Sequence, residues 1–258
     1  MYKILQTPVL ILKSAVKQIP NFITLLNLFS GSLSVVFISS GQIRLGISFI
    51  LLAAVFDFLD GMVARLLKSK TETGKELDSL SDIVSFGFAP SFLVFEHIRL
   101  LLLNQTQTPV LLNLDAFSLI LVLLPFIFLL FAAIRLARFN LDKSQEKTFS
   151  GLPTPGAALL IATALWVYHN NQSVVMQNFF NNPIYMDLSV VVLSVLMVLP
   201  LKFFSLKFSN FTWHENRIRY LFIGISALLL ITLQWVALPI IISIYIVFSI
   251  ISNLKQTN

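Results

Sequence analysis

The chain has 258 residues, of which 57% are hydrophobic and 12% charged, with a formal net charge of +6. So few charges exclude an ordinary soluble domain, and the absence of cysteine excludes disulfides and thiolate metal sites. The basic excess does not indicate nucleic-acid binding, because the sequence resembles no nucleic-acid-binding module. The composition therefore predicts one membrane-embedded domain.

Apolar stretches of bilayer-crossing length, about 20 residues each, recur along the chain. We predict eight spans, at 22–40, 45–66, 78–99, 117–138, 154–170, 186–202, 218–234 and 236–253. A tight turn near Gln234–Pro239 separates the last two, and a re-entrant pair there would leave six or seven spans as alternatives. The predicted fold class is all-α, a polytopic membrane helix bundle.

Residues 1–19 precede the first span and carry Lys3, Lys13 and Lys17, which argue against a cleavable signal peptide. Thr7 as a cap and Pro8 in the first helical turn suit a helix lying on the inner membrane surface. A short ordered tail is the alternative. We treat 1–19 as an N-terminal interfacial segment.

The placement of basic residues predicts the orientation of the chain. With a cytoplasmic N-terminus, all but two of the 18 basic residues fall in cytoplasmic segments, and the exceptions are Arg44 and Arg99. Cytoplasmic loops of membrane proteins are enriched in Lys and Arg. We therefore expect an even number of spans, with both termini in the cytoplasm.

Four aspartates lie where the second span ends and the third begins. Asp57 and Asp60 are three residues apart and Asp78 and Asp82 are four apart, so each pair shares a helix face. Carboxylates at the edge of hydrocarbon are costly unless they are compensated. A divalent cation that prefers oxygen ligands, Mg²⁺, Mn²⁺ or Ca²⁺, compensates them more completely than ion pairs with Arg65 and the loop lysines, which are the structural alternative.

Small residues flank the acidic face of the second span. Gly61 and Ala64 leave room for a bulky ligand such as a nucleotide against the helix. The forked guanidinium of Arg65 suits a phosphate group. This pattern favours chemistry on a phosphorylated substrate near the metal.

The chain is similar to the signature of the CDP-alcohol phosphotransferase family at every fixed position of Asp57-x2-Asp60-Gly61-x2-Ala64-Arg65-x8-Gly74-x3-Asp78-x3-Asp82. The resemblance implies a six-helix membrane core, usually dimeric, with a two-ion site for Mg²⁺ or Mn²⁺ that faces the cytoplasm. It implies that Asp57, Asp60 and Asp78 bind one ion and that Asp78 and Asp82 bind the second. Asp82 would also be the catalytic general base.

The same resemblance implies a set of contacts to the CDP group of the donor. Two of them lie in the stretch from Pro20 to Thr24, which is similar to the nucleotide-contacting start of the family's first helix, and the others lie in and near the acidic motif. The implied CDP-binding residues are Asn21, Thr24, Gly61, Ala64, Arg65, Thr71 and Gly74.

Three further stretches, Asp82–Pro90, Arg135–Asn140 and Phe149–Pro155, resemble the bacterial and archaeal branch of this family that uses L-serine as acceptor. That implies transfer of the phosphatidyl group of CDP-diacylglycerol to L-serine, giving phosphatidylserine and CMP, in a bacterial-type inner membrane. Residues 20–210 would form the family core, and 211–258 would add about two C-terminal spans.

The residues themselves are compatible with an amino-acid acceptor. Arg135 and Arg138 end the fourth predicted span, where either could pair with a substrate carboxylate, and Asn140 could hydrogen-bond the ammonium or the carboxylate. The alternative is that these arginines enforce topology or bind lipid headgroups.

Two other functions compete. Glycerol 3-phosphate or inositol phosphate as acceptor would favour a denser basic pocket. An ion-coupled transporter would spread its carboxylates near mid-bilayer over several spans, whereas here they gather at one end.

Overall fold

A computed structural model of the protein describes residues 6–69, 71–103, 114–141, 151–170, 174–201 and 213–256. In these ranges every regular element is helical, which confirms the predicted all-α class. The helices are α1 (Gln6–Ser39), α2 (Ile43–Leu66), α3 (Glu72–Asp82), α4 (Ala89–Leu103), α5 (Ala116–Leu123), α6 (Ile127–Leu141), α7 (Thr154–Asn170), α8 (Val174–Phe180), α9 (Pro183–Val198), α10 (Trp213–Leu233) and α11 (Ala237–Gln256).

Within the described residues, each of the eight predicted spans lies mostly in helix. Five stretches are long and apolar enough to cross a membrane, 18–39, 43–66, 72–102, 116–141 and 219–251. The predicted spans at α7 and α9 are shorter, with 17 and 16 residues. The chain is therefore an integral membrane protein built as a helix bundle.

Helices α1 and α2 form a tight hairpin. Gly41 turns the chain with a φ of +77°, a conformation that glycine adopts without strain. A Cβ atom on Gly46 would lie 2.4 Å from Cγ1 of Ile38, and the rings of Phe37 and Phe49 stack with centroids 5.2 Å apart. The close approach fixes the register of α2, whose far end carries Asp57 and Asp60.

Helices α3 and α4 continue into each other through a π-helical turn, Ile83–Phe88. Ser81 and Ser85 donate hydrogen bonds to the carbonyls of Thr24 and Asn27 on α1, both at 3.0 Å. A Cβ on Gly31 would lie 2.3 Å from Oγ of Ser85, so α1 crosses this turn in direct backbone contact. Local π-helical turns occur frequently at functional sites, and this one follows Asp82 directly.

Helix α7 lies at the centre of the bundle. Ala157, Ala158, Ala162 and Leu165 are fully buried, and α2, α4, α9 and α11 all contact this helix. Before it, Gly151 has a φ of +83°, and a Cβ there would lie 2.2 Å from the Met197 carbonyl oxygen. Glycine is required at this crossing, which brings the start of α7 against the end of α9.

The predicted turn between the last two spans is confirmed. Gln234 has a φ of 49°, in the left-handed region, and a short 3₁₀ segment, Gln234–Val236, joins α10 to α11. The rings of Phe222 and Tyr245 lie 6.1 Å apart, which shows that the two helices run back along each other. At the other end of the chain, α1 continues without interruption through Pro20, so the interfacial placement of 1–19 stays a prediction.

Candidate active site

The four aspartates of the motif lie on the last turns of α2 and in the second half of α3. Thr71 caps α3, since its hydroxyl accepts a hydrogen bond from the Gly74 amide at 3.0 Å. The connection between the helices turns sharply at Lys68, whose φ is 49°. This short return places the last turns of α2 beside α3.

Three of the carboxylates form a compact group. Oxygen atoms of Asp57, Asp60 and Asp78 all lie within 4.8 Å of one another. Asp60 is 6% exposed, and its Oδ2 has no hydrogen-bond partner. Among the residues that the structure describes, no Lys or Arg nitrogen forms an ion pair with these groups, so the alternative of structural ion pairs has no support there.

The arrangement fits a divalent cation. Crowded carboxylates repel one another, and burying them costs free energy that a cation with oxygen ligands offsets. Oδ2 of Asp60 has no hydrogen-bond partner and is available as a ligand atom. Of the four metal ligands predicted from the sequence, the structure brings together Asp57, Asp60 and Asp78. Asp82 lies outside this close group.

Asp82 sits one turn deeper along α3 and is 7% exposed. Its Oδ1 accepts a hydrogen bond from Nδ2 of Asn27 at 3.5 Å, a long contact between α1 and α3. Arg135 on α6 lies close enough to attract the Asp82 carboxylate electrostatically, without a direct ion pair between the two. Asp82 therefore has a neutral donor on one side and a nearby cation on the other.

The residues predicted to contact CDP line the same end of the bundle. A Cβ on Gly74 would lie 2.9 Å from Oδ1 of Asn21 and 3.0 Å from Oγ1 of Thr71, so these three residues meet. Thr24 is buried on α1, donates to the Pro20 carbonyl at 3.0 Å and contacts the Asp60 carboxylate.

The last turn of α2 is open on the side of Gly61. A Cβ on Gly61 would meet Nη2 of Arg65 at 3.8 Å and no closer atom. The exposed Arg65 donates through Nε to the Gly61 carbonyl at 2.8 Å, and its two terminal nitrogens have no described hydrogen bond. Ala64 is half-buried and its carbonyl accepts from the Ser69 amide at 3.1 Å.

The three residues predicted to bind the acceptor lie in different environments. Arg135 is buried, donates through Nη1 to the Thr154 hydroxyl at 2.8 Å, and lies 5.9 Å from the Phe139 ring centre. Asn140 donates to Oγ of Ser79 at 2.9 Å, which ties α6 to α3. Arg138 is exposed and donates to the Val198 carbonyl at 3.4 Å; no described contact joins it to the aspartates.

Two residues of this site have no role in the sequence-based prediction, Asn27 and Thr154. Both are fully buried and polar. A buried amide in the apolar stretch of the first span, on the same helix face as Thr24, is the signal that could have identified Asn27. Thr154 carries no such signal, because a threonine beside prolines at a helix start is common for local reasons alone.

Comparison with known proteins gives a family match over the part of the chain that contains this site. The family model described as CDP-alcohol phosphatidyltransferase matches residues 17–201, which includes all four aspartates, Arg135 and Thr154. That range ends before the C-terminal hairpin of α10 and α11.

Similar curated proteins occur in bacteria and archaea. One from Helicobacter pylori, named "CDP-diacylglycerol--serine O-phosphatidyltransferase", is 30% identical over 237 residues, covering 90% of this chain and 89% of that protein. One of the same name from Bacillus subtilis is 33% identical over 192 residues, covering 72% and 89%. An "Archaetidylserine synthase" from Methanothermobacter thermautotrophicus is 34% identical over 151 residues, covering 56% of each chain.

Proposed function

Since this chain belongs to the CDP-alcohol phosphatidyltransferase family, we propose that it transfers the phosphatidyl group of CDP-diacylglycerol to L-serine, giving phosphatidylserine and CMP. The observation that carries the proposal is the group of three unpaired carboxylates within 4.8 Å, held inside the matched family region. The names of the relatives support serine as the acceptor, because each name includes serine, either as the acceptor or within the lipid product.

The carboxylates would hold a divalent cation, Mg²⁺ or Mn²⁺. Asp57, Asp60 and Asp78 would bind one ion, and Asp78 with Asp82 would bind a second. A bound cation supplies charge neutralisation for the pyrophosphate of the donor and for the leaving CMP. Support comes from the mutual proximity of the first three groups and from the unpartnered Asp60 oxygen.

Asp82 acts as the general base. It accepts the proton of the serine hydroxyl while the serine oxygen forms a bond to the phosphorus that carries diacylglycerol, and the pyrophosphate bond to CMP breaks. No covalent enzyme intermediate is needed. The burial of Asp82 on α3 supports this role, because a carboxylate that has lost its hydration accepts a proton more readily.

The CDP group binds at the open end of α2 and at the cap of α3. Arg65 faces the phosphates through its free guanidinium nitrogens. The nucleotide lies along the surface offered by Asn21, Thr24, Gly61, Ala64, Thr71 and Gly74. Crowding at Gly74 and open space at Gly61 support this division, since the first fixes the cap and the second admits the ligand.

L-Serine binds on the α6 side, with its carboxylate on Arg135. Arg138 and Asn140 were predicted to share this role, and the described contacts favour Arg135 of the three. Arg138 lies at the surface, and Asn140 serves the α3–α6 contact through Ser79.

Orientation and assembly complete the proposal. Both termini and the site face the cytoplasm of a bacterial-type inner membrane, which the distribution of basic residues supports. Diacylglycerol stays in the inner leaflet while serine arrives from water. The enzyme is a homodimer in which 20–210 form the catalytic core, 211–258 add a hairpin and 1–19 lie at the interface.

The test is an acceptor panel. Purified protein in detergent receives CDP-diacylglycerol, Mn²⁺ or Mg²⁺, and one of L-serine, glycerol 3-phosphate, inositol phosphate or glycerol, and CMP release is followed. We expect release with L-serine and a lipid product that contains it. Release with a different alcohol alone would reassign the acceptor, and no release with any alcohol would refute an enzymatic function.

A further inference from the structure

The charged groups proposed to handle serine are not paired with each other. Asp82 and Arg135 attract one another electrostatically, yet no ion pair joins them within the described residues. Two buried, opposite charges that attract one another gain free energy from direct pairing, because each has lost its hydration. Something else must hold them apart.

Each charge has a neutral partner on a different helix. Asn27 of α1 donates to Oδ1 of Asp82 at 3.5 Å, and Thr154 of α7 accepts from Nη1 of Arg135 at 2.8 Å. Both partners are themselves fully buried, with exposures of 0%. The four side chains form a row across the bundle, from α1 through α3 and α6 to α7.

The backbone around both partners is fixed. The carbonyl of Asn27 accepts a hydrogen bond from Ser85 at 3.0 Å, which holds this turn of α1 against α3. Thr154 follows the Leu152 amide, which donates to the Leu196 carbonyl of α9 at 2.9 Å. These contacts hold the backbone at both positions, so each side chain projects from a fixed point of its helix.

Two of these four side chains have a further polar atom that is available for a hydrogen bond. Oδ1 of Asn27 and Nε of Arg135 are buried and have no hydrogen-bond partner. Leaving such an atom unpaired costs free energy, so a ligand that satisfies it binds more tightly. An acceptor and a donor of this kind match the ammonium and the carboxylate of an amino acid.

We infer that Asn27 and Thr154 are positioning residues that keep Asp82 and Arg135 apart, so that an acceptor with both a hydroxyl and a carboxylate binds between the two charges. This inference rests on the proposed function. Asn27 holds the base toward the hydroxyl, and Thr154 holds the guanidinium toward the carboxylate. Acceptors without a carboxylate gain nothing from Thr154, so this residue selects for serine over simple alcohols.

The experiment compares Thr154→Val, which removes the hydroxyl at nearly constant volume, with Thr154→Ser, which restores it. Thr163→Val is the matched control, because Thr163 is a buried threonine of α7 whose hydroxyl bonds its own helix at the Leu159 carbonyl. We expect Thr154→Val to raise KM for L-serine about tenfold or more, the worth of one hydrogen bond to a charged group. KM for CDP-diacylglycerol stays within about twofold. Thr154→Ser and Thr163→Val behave like the wild type.

Asn27→Leu is expected to change kcat instead of KM for L-serine. It lowers kcat on the order of tenfold, because the base is no longer oriented, and leaves KM for L-serine little changed. Ser34→Ala is its control, since Ser34 is a buried polar residue of the same helix without a described partner. Thermal unfolding of each variant monitors the fold, and Thr154→Ala replaces Thr154→Val if the valine variant does not fold.

The outcomes separate the two proposals. Active wild type with an unchanged KM for L-serine in the folded Thr154 variants overturns the positioning role. A loss that affects both substrates equally, or one that Thr154→Ser does not restore, also overturns it, because that pattern belongs to a structural residue. A wild type that releases no CMP with any alcohol refutes the proposed function itself.

Discussion

The continuous helix formed by α3, the π-helical turn and α4 carries acidic residues at both ends. The acids at the two ends differ in whether a basic side chain pairs with them. Near its far end, Glu96 is 4% exposed and receives two hydrogen bonds from Arg99, at 2.7 and 2.6 Å. About 20 Å along the axis, Asp78 and Asp82 have no ion-pair partner in the described chain. A buried acid with a dedicated cation serves the fold, whereas crowded acids without one leave their charge available for a ligand.

Two other polar side chains near Glu96 also have partners within the protein. His97 bonds the Phe180 carbonyl at 2.9 Å, and Arg44 donates to the His169 carbonyl at 2.7 Å. Buried atoms without a hydrogen-bond partner occur around the aspartates, on Asn27, Asp60, Arg135 and Asn140, and also on His169 of α7 and Asp187 of α9. Such atoms are rare in folded proteins, so the four near the aspartates are candidate contacts for a bound ligand.

The largest expected effect comes from removing one of the crowded acids. Asp60→Asn should lower the rate of CMP release by roughly a thousandfold, because a lost ligand forfeits several kcal/mol of charge stabilisation. In metal-free protein the same change should raise Tm, since one of three repelling charges is gone. Assays of CMP release, and thermal unfolding with and without Mn²⁺, test the two expected changes. A Tm of metal-free Asp60→Asn below that of the metal-free wild type would contradict the account.

Replacing the base should be nearly as severe. Asp82→Asn should reduce kcat by about 10²- to 10⁴-fold with little change in KM for CDP-diacylglycerol. Asp115→Asn is the matched control, because Asp115 is an exposed aspartate that caps α5 through the Phe117 amide. Normal turnover by purified Asp82→Asn would refute the assignment of the base.

At the paired end, the same type of substitution should affect stability and not chemistry. Glu96→Gln leaves Arg99 without its carboxylate and should cost roughly 1–3 kcal/mol of stability. CMP release per folded molecule should stay within about twofold of the wild type. A large loss of activity in folded Glu96→Gln would erase the distinction between the two ends.

The smallest effect concerns the basic loop beside the aspartates. Lys68 is exposed and adopts a φ of 49°. Lys68→Gly removes left-handed strain of about 1–2 kcal/mol but loses about 0.5–1 kcal/mol to the freedom of glycine in the unfolded chain, so we expect a small net gain in stability. Activity should persist, because no described ion pair joins Lys68 to the acids. Destabilisation together with lost activity would support the alternative that the acids form structural ion pairs.

Sequence reasoning predicted the elements that depend on local pattern. Apolar length located the spans, and the spacing of Asp57, Asp60 and Asp78 predicted their meeting, because the two helices are adjacent in the chain and short spacing fixes a shared face. The turn at Gln234 was also predictable from the break in the last apolar stretch.

The rest depends on contacts between distant parts of the chain. Asn27 meets Asp82 across 55 residues and Arg135 meets Thr154 across 19, and neither pair leaves a periodic signal. The surface position of Arg138 could not be distinguished from the buried position of Arg135, since both end the same span and the rotation of α6 is set by its packing on α9. The π-helical turn likewise follows from the close crossing at Gly31.

Direct measurement of Mn²⁺ binding by electron paramagnetic resonance, on the purified wild type, Asp60→Asn and Glu96→Gln, tests the central claim. The difference between the ends of the α3–α4 helix predicts binding by the wild type and by Glu96→Gln, and loss of binding in Asp60→Asn. Unchanged binding in folded Asp60→Asn, or loss of binding in folded Glu96→Gln, would contradict the assignment of the crowded aspartates as the metal site.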